Sequence, residues 1–294
     1  MSAASVGTAA GAVPGIVEPV TPSAGSASSR RMVVALHAEW TKLRTLPGTF
    51  WLLAALAVLT IAVSTAASAA YGCTPGFCSA ADTGTDPAKV ALAGLYLGQV
   101  LAASVGVLAV GGEYGSGMIR VTLAALPRRL VMLSAKAVVV TGVVLVASVA
   151  GVLGSYVAGR ALLPGHGLSA ANGYLVLSLG NGTDLRAFSC AVLYLVLIAL
   201  MALGVTTAVR NSGAAIGIVL GLLFMFPIVT AVLPDHTLAR HLNQVSPMQA
   251  GSYSQATVGL HALPLTPWQG LGVVALWAAG TLILGGLALR FRDA

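Results

Sequence analysis

The sequence predicts an all-α, polytopic membrane protein with six transmembrane helices, and three observations lead to this prediction. Only 23 of the 294 residues are charged, which is 8% of the chain against about 25% in soluble domains. Hydrophobic residues make up 57%, and the mean hydropathy is +0.92. The apolar residues also gather into stretches of about 20 residues, the length that crosses a bilayer as a helix. This composition excludes soluble enzymes and secreted or nuclear proteins.

The predicted spans follow a tail rich in Ser, Ala, Gly and Pro at residues 1–30, which we expect to be disordered and cytoplasmic. The remaining residues, 31–294, form one six-span domain. In the fifth span, Pro227 is expected to kink or break the helix, because proline lacks the backbone donor and clashes with the preceding turn. The six spans cover about residues 50–70, 90–110, 137–157, 188–208, 213–233 and 268–289.

The basic residues predict the orientation of the spans. If both termini are cytoplasmic, eleven basic residues lie inside and four outside, whereas the opposite topology violates the positive-inside rule. The net charge of +7 is therefore explained by the membrane, and no nucleic-acid partner is expected. The inner residues are Arg30, Arg31, Lys42, Arg44, Arg120, Arg128, Arg129, Lys136, Arg210, Arg290 and Arg292; the outer ones are Lys89, Arg160, Arg186 and Arg240.

Residues 32–46 predict an amphipathic helix that lies in the membrane interface before the first span. Val33, Leu36, Trp40 and Leu43 share one helical face. Trp40 suits an anchor at headgroup depth, while Lys42 and Arg44 lie elsewhere on the helix. The alternative is a positively charged flank that only orients the first span.

The cytoplasmic loop 111–136 differs in chemistry from the rest of the chain. It combines an acid at the membrane edge, Glu113, with a glycine-rich bend, a short helical stretch at 121–126 and a basic end at Arg128 and Arg129. This combination suits a lever that docks on another protein. The alternative is an ordinary polar loop whose arginines meet anionic headgroups.

Other features lie on the outer side or inside the spans. Cys73 and Cys78 could close a small disulfide, or remain reduced, whereas Cys190 is expected to be a small buried hydrophobe. A short surface helix is expected at residues 238–245. Span five carries a tandem small-residue face, which allows close helix packing or dimerisation but also arises by chance in a glycine-rich chain: Gly213, Gly217 and Gly221.

Catalytic, cofactor and metal motifs are absent from the sequence. None of the three lysines follows a glycine, so no phosphate-binding P-loop occurs. No Gly-x-Ser-x-Gly or His-Glu-x-x-His pattern occurs either. Acidic residues fall in the tail, in loops or at interfaces, which disfavours a proton-driven transporter. We therefore expect no catalytic residues, no cofactor and no metal, and a transporter of this kind needs energy from a partner.

The arrangement resembles the membrane subunit of ATP-binding cassette exporters of the type-2 permease class, in its actinobacterial form. The similarity covers nearly everything after residue 30. It rests on the segment 39–44, on residues 267–270 and 290–294 at the end of the chain, on Arg210 after the fourth span, and on the loop residues Glu113, Tyr114, Gly117, Ile119, Arg120, Pro127, Arg128, Arg129 and Lys136.

This resemblance implies two permease halves and two copies of a separate ATPase, in a bacterial plasma membrane. It implies that Glu113, Tyr114, Gly117 and Arg120 position the coupling loop and that Arg128 and Arg129 seat it. The second permease half would be another copy of the chain or a homologue. The alternative function is a non-transport polytopic protein, such as an immunity or scaffold subunit, which leaves the lever segment unexplained.

Overall fold

The computed structural model describes residues 36–41, 47–72, 84–115, 118 and 129–291. Within these ranges the regular structure is helical, with no strand. Six helices are long and apolar enough to cross a membrane, which confirms the predicted fold class. They are α1 (Pro47–Ala70), α3 (Leu95–Gly115), α4 (Arg129–Leu162), α5 (Gly182–Val209), α6 (Ser212–Val232) and α9 (Pro267–Phe291).

Three shorter helices lie between the spans on the side that the charge distribution assigns to the exterior. They are α2 (Pro87–Ala91), α7 (His236–Val245) and α8 (Pro247–Ser254). Residues 36–41 are also helical and form the described part of the predicted interface helix. The tail 1–30, Lys42, Arg44, Cys73 and Cys78 lie outside the described residues.

Helix α5 forms the centre of the bundle and packs against α3, α4, α6 and α9. Glycines allow these close approaches, because a side chain at the contact would collide with the neighbouring backbone. A Cβ atom on Gly204 would lie 2.4 Å from the Thr281 carbonyl carbon in α9. A Cβ atom on Gly106 of α3 would lie 2.1 Å from the Ala199 carbonyl oxygen in α5. Cys190 is fully buried in α5, as predicted.

Helix α1 packs against α3 and α4 on one side of this centre. Gly94, in the turn before α3, lies so close to α1 that a Cβ atom would be 2.0 Å from the Thr60 carbonyl oxygen. A Cβ atom on Gly98 would likewise lie 2.7 Å from the Thr60 hydroxyl oxygen. Gly94 and Gly98, the Gly-x-x-x-Gly pair of span two, therefore pack against α1 of the same chain.

Several predicted span boundaries differ from the structure; the fourth span, for example, begins at Gly182. The second span begins at Leu95 because Asp86 caps a separate short helix, α2, which starts with Pro87 and ends in a turn at residues 92–94. The third span begins at Arg129, because helix α4 extends beyond the apolar stretch toward the cytoplasmic loop. Helix α6 runs through Pro227, so the predicted break does not occur.

The outer segment between α6 and α9 is more ordered than expected. Helix α7 confirms the predicted surface helix and starts at His236, because the Asp235 carboxylate accepts the Thr237 and Leu238 amides at 2.8 and 3.3 Å. Helix α8 was not predicted. It packs into the bundle, where a Cβ atom on Gly251 would lie 2.2 Å from the Tyr194 ring.

Candidate functional site

A buried ion cluster joins three parts of the chain at the cytoplasmic end of the bundle. Lys136 of α4 is 1% exposed, and its Nζ atom donates to Glu39 Oε2 at 2.8 Å and to Glu113 Oε1 at 2.7 Å. It also donates to the Ala109 carbonyl at 3.3 Å. We call Lys136, Glu39 and Glu113 the ion triad. It connects the interface helix, the end of α3 and the start of α4.

Helical geometry places each member of the triad. Ala109 and Glu113 are four residues apart on α3, so the carbonyl and the carboxylate face α4 together. Glu39 is 8% exposed, whereas its neighbour Trp40 is 53% exposed. The described turn of the interface helix therefore presents its acid to the bundle and its tryptophan outward, where an aromatic anchor can meet headgroups.

The electrostatics of the triad centre on Lys136. Lysine is almost never fully buried without a partner, because removing an ammonium from water is costly. The two carboxylates at salt-bridge distance compensate for that cost. Loss of the lysine would remove the cation that both carboxylates contact, and removing one partner of a buried ion pair typically costs about 3–5 kcal/mol. The triad therefore holds the interface helix and the two ends of the cytoplasmic loop in one arrangement.

Two arginines near the triad bind the end of α9. Arg129, the first residue of α4, donates to the Leu289 carbonyl, and Arg210 donates to the Ala288 carbonyl at 3.1 Å. These carbonyls belong to the last turn of α9, where helical acceptors lack intrahelical partners and the helix dipole favours cations. Arg210 ends α5 in the left-handed region, with a φ of 62°. Arg129 and Arg210 thus bind the end of the last helix of the bundle.

The structure brings together only part of the predicted coupling set. Glu113 belongs to the ion triad, and the Tyr114 ring packs against the hydrophobic core next to it. Arg129 contacts α9, as described above. The remaining members, Gly117, Arg120 and Arg128, lie outside the described residues.

The predicted small-residue face of span five is open in the structure. Gly213, Gly217 and Gly221 are exposed. A Cβ atom on Gly217 or Gly221 would meet nothing within 4 Å. Helix α6 instead packs on its own chain through another face, formed by Ala215, Val219 and Leu223. The glycine face is therefore available to a further helix.

A second polar cluster fastens the outer end of the bundle. Asp86, before α2, is 8% exposed and accepts the Thr257 amide at 2.6 Å, the Thr257 hydroxyl at 2.6 Å and the Val258 amide at 3.2 Å. It also accepts the Ala88 amide at 3.0 Å. Arg186 of α5 donates to the neighbouring Ala256 carbonyl at 2.6 Å. We call these contacts the outer clasp, since they tie the segment after α8 to α2 and α5.

Sequence reasoning missed both clusters as units. Glu39 and Lys136 occur in the motifs that carry the resemblance, but nothing in the sequence pairs them across 97 residues. The sequence did contain one signal. Glu39, Glu113 and Lys136 are charges of opposite sign that lie next to the membrane ends of three segments, and the predicted topology places these ends on the same side. The outer clasp has no comparable signal, because Asp86 and Thr257 lie in loops 171 residues apart.

Comparison with models of known protein families and with curated proteins finds no match to this chain. Within the described residues, no group of three or more His, Cys, Asp or Glu side chains could hold a metal ion. The geometry is therefore that of a multi-pass membrane protein with a buried ion cluster at one end of its helix bundle and a cluster of hydrogen bonds at the other. The functional argument proceeds from these two clusters.

Proposed function

We propose that the chain is the transmembrane permease subunit of an ATP-binding cassette exporter in a bacterial plasma membrane. ATP hydrolysis takes place in a separate ATPase subunit, and the permease itself has no catalytic role. The observation that supports this proposal most strongly is the ion triad. It links the interface helix to both ends of the cytoplasmic loop 111–136, the segment in which the resemblance places the contact with the ATPase.

The position of the ion triad allows it to transmit movement of that loop to the spans. The loop leaves the membrane after Glu113 and returns before Lys136, and these two side chains bind each other directly. Helix α3 packs mainly on α5, whereas α4 packs on α1 as well as on α5. A force on the loop therefore reaches α3 and α4 together and passes to both sides of the bundle.

The outer clasp is the contact that must open when the bundle becomes outward-facing. It consists of hydrogen bonds that the Asp86 carboxylate and the Arg186 guanidinium make to the segment after α8, rather than of interdigitated apolar side chains. Water can replace these partners once the segments separate, and each hydrogen bond to a charged group contributes about 1.5–3 kcal/mol net. Closing of the ATPase pair would move the loop and, with it, the ion triad. Opening of the outer clasp would then release the substrate.

The distribution of acids supports an external energy source. The acids of the described residues are at the cytoplasmic end (Glu39, Glu113) or the outer end (Asp86, Asp184, Asp235) of the bundle. Coupling ions and protons are generally carried by ionisable side chains at membrane depth. The described spans offer no acid there, which favours an ATPase partner over an ion gradient.

The second permease copy, or a homologue, is proposed to bind the glycine face of α6. This face is exposed, whereas the Gly94 and Gly98 pair is filled by the chain itself. Close approach of two backbones at small residues is a common way for helices to associate in a bilayer. Cysteine substitutions along residues 214–222 test the contact. Periodic cross-linking supports it, and an even pattern without a cross-linked dimer contradicts it.

The decisive test of the proposed function is isolation of the tagged chain from its native membrane. We expect an ATP-binding cassette ATPase to co-purify and to hydrolyse ATP. The variant Glu113→Ala, at equal protein level and membrane insertion, should lower substrate-stimulated hydrolysis. Asp235→Asn serves as a control, because this exposed acid caps α7 on the outer side. Isolation without an ATPase would favour the immunity or scaffold alternative.

A further inference from the structure

A small polar cavity lies at the outer end of the bundle, where α3, α5 and α8 meet. Its volume is about 40 Å³, enough for one small polar group or for water. Its lining contains hydrogen-bonding side chains from three helices and one loop: Gln99 of α3, Tyr194 of α5, Ser252 of α8, and Gln255. Lys89 of α2 and Tyr96 of α3 add two further polar side chains to the lining.

Gln99 gives this cavity an unused hydrogen-bonding group. The side chain is 1% exposed, and its Oε1 atom accepts the Tyr194 hydroxyl. Its Nε2 atom is buried and has no hydrogen-bond partner. With Oε1 bonded to the Tyr194 hydroxyl, the unused end of the side chain is its amide donor. Buried polar groups are nearly always bonded, and an exception calls for a ligand or a water molecule.

The charge around the cavity favours an anionic ligand. Among the described residues that line it, Lys89 alone is charged. The nearest acid along the chain, Asp86, directs its carboxylate to Thr257 and Val258 in the outer clasp. The cavity thus combines one cation with one unused amide donor. A carboxylate matches both, because its oxygens accept from neutral and charged donors alike.

We propose that this cavity binds a carboxylate group of the transported molecule. Gln99 donates its amide hydrogen to one carboxylate oxygen, Tyr194 holds the amide in place, and Lys89 supplies the opposite charge. The cavity accommodates only this group, so the rest of the ligand lies outside it. The site is next to the outer clasp, where a substrate would leave. Its assignment to a transported molecule rests on the proposed function, but carboxylate binding can be measured without the ATPase.

The test uses the purified chain alone in lipid nanodiscs and two probes, acetate and decanoate. Ligand-observed saturation-transfer NMR gives each dissociation constant, and empty nanodiscs correct for partition into lipid. We expect both probes to bind, decanoate more tightly. Gln99→Glu at pH 8 keeps the acceptor for Tyr194 but replaces the donor, and should weaken binding about tenfold or more. Gln99→Leu, which removes the amide, should weaken it to a similar extent.

Two further comparisons separate charge from partition. Lys89→Gln should weaken decanoate binding several-fold, whereas Arg160→Gln, at an exposed outer cation on α4, should leave it unchanged. Decan-1-ol should bind much more weakly than decanoate. Thermal unfolding of each variant verifies that it is folded.

The proposal is overturned if neither probe binds, if both Gln99 variants retain the affinity of the unmodified chain, or if decan-1-ol binds as tightly as decanoate. The cavity would then hold water only. None of these results depends on an ATPase, so failure of carboxylate binding is distinct from failure of the proposed function. Conversely, if the chain isolates without an ATPase and still binds decanoate through Gln99, the carboxylate site would stand. Its ligand would then no longer be assigned as a transported molecule.

Discussion

Neutralising Lys136 should destabilise the protein far more than an ordinary surface substitution. Lys136→Met keeps much of the side-chain volume but removes the cation that Glu39 and Glu113 both contact, and these two carboxylates are 8% and 9% exposed. Removal of one partner from a buried ion pair typically costs about 3–5 kcal/mol. Because both carboxylates lose their salt bridge, we expect a loss in that range. Unfolding in mixed micelles, followed by circular dichroism, measures it.

A variant with no charge in the triad separates the ion pairs from packing. In the combination Glu39→Gln, Glu113→Gln and Lys136→Met, the lysine and its two carboxylate partners are neutralised together, and polar or apolar replacements of buried pairs are often neutral. We expect it to recover most of the stability lost in Lys136→Met alone. Arg160→Met, at an exposed cation on the same helix, should change the free energy of unfolding by less than about 0.5 kcal/mol.

The reasoning fails if Lys136→Met costs no more than Arg160→Met. It also fails if the neutral triple variant is as unstable as the single one, because the loss would then come from the lysine stem and its packing rather than from charge.

Three further predictions concern packing, the outer clasp and association. Gly204→Val should prevent folding or strongly lower the melting temperature, because its Cβ atom would lie 2.4 Å from the α9 backbone. Gly142→Ala is the control: the site has open space around it, so the melting temperature should stay unchanged or rise slightly. Asp86→Ala removes the acceptor of four hydrogen bonds. Protease cleavage or hydrogen exchange in residues 255–258 should therefore increase. Unchanged exchange would contradict the role of the outer clasp. Gly217→Leu should abolish a dimer detected by cross-linking in membranes while the monomer remains folded, and a persistent dimer would place the contact elsewhere.

The fold class and the number of spans could be predicted because they depend on local composition. A run of about 20 apolar residues is recognisable wherever it occurs, and the basic residues then assign its direction. The surface helix α7 was predictable for the same reason, since Asp235 caps it and the pattern lies within ten residues.

The remaining features depend on contacts between distant segments. Helix α8 is short and its burial depends on Tyr194, which lies on another helix. The start of α4 was placed too late because Lys136 ends the apolar run, and only its pairing with Glu39 and Glu113 makes a buried lysine acceptable. Sequence reasoning chose Glu113 for its position at the membrane edge, but its partners could be identified only in three dimensions.

The most direct test of the account compares ATP hydrolysis by the reconstituted complex with the unmodified chain and with the neutral triple variant of the triad. Equal subunit ratios and equal thermal stability of the two complexes are the required controls. If the triad transmits force between the ATPase and the spans, the variant complex assembles but loses most of its substrate-stimulated hydrolysis. Equal stimulated rates in the two complexes would contradict a coupling role and leave the triad as a stabilising feature of the fold.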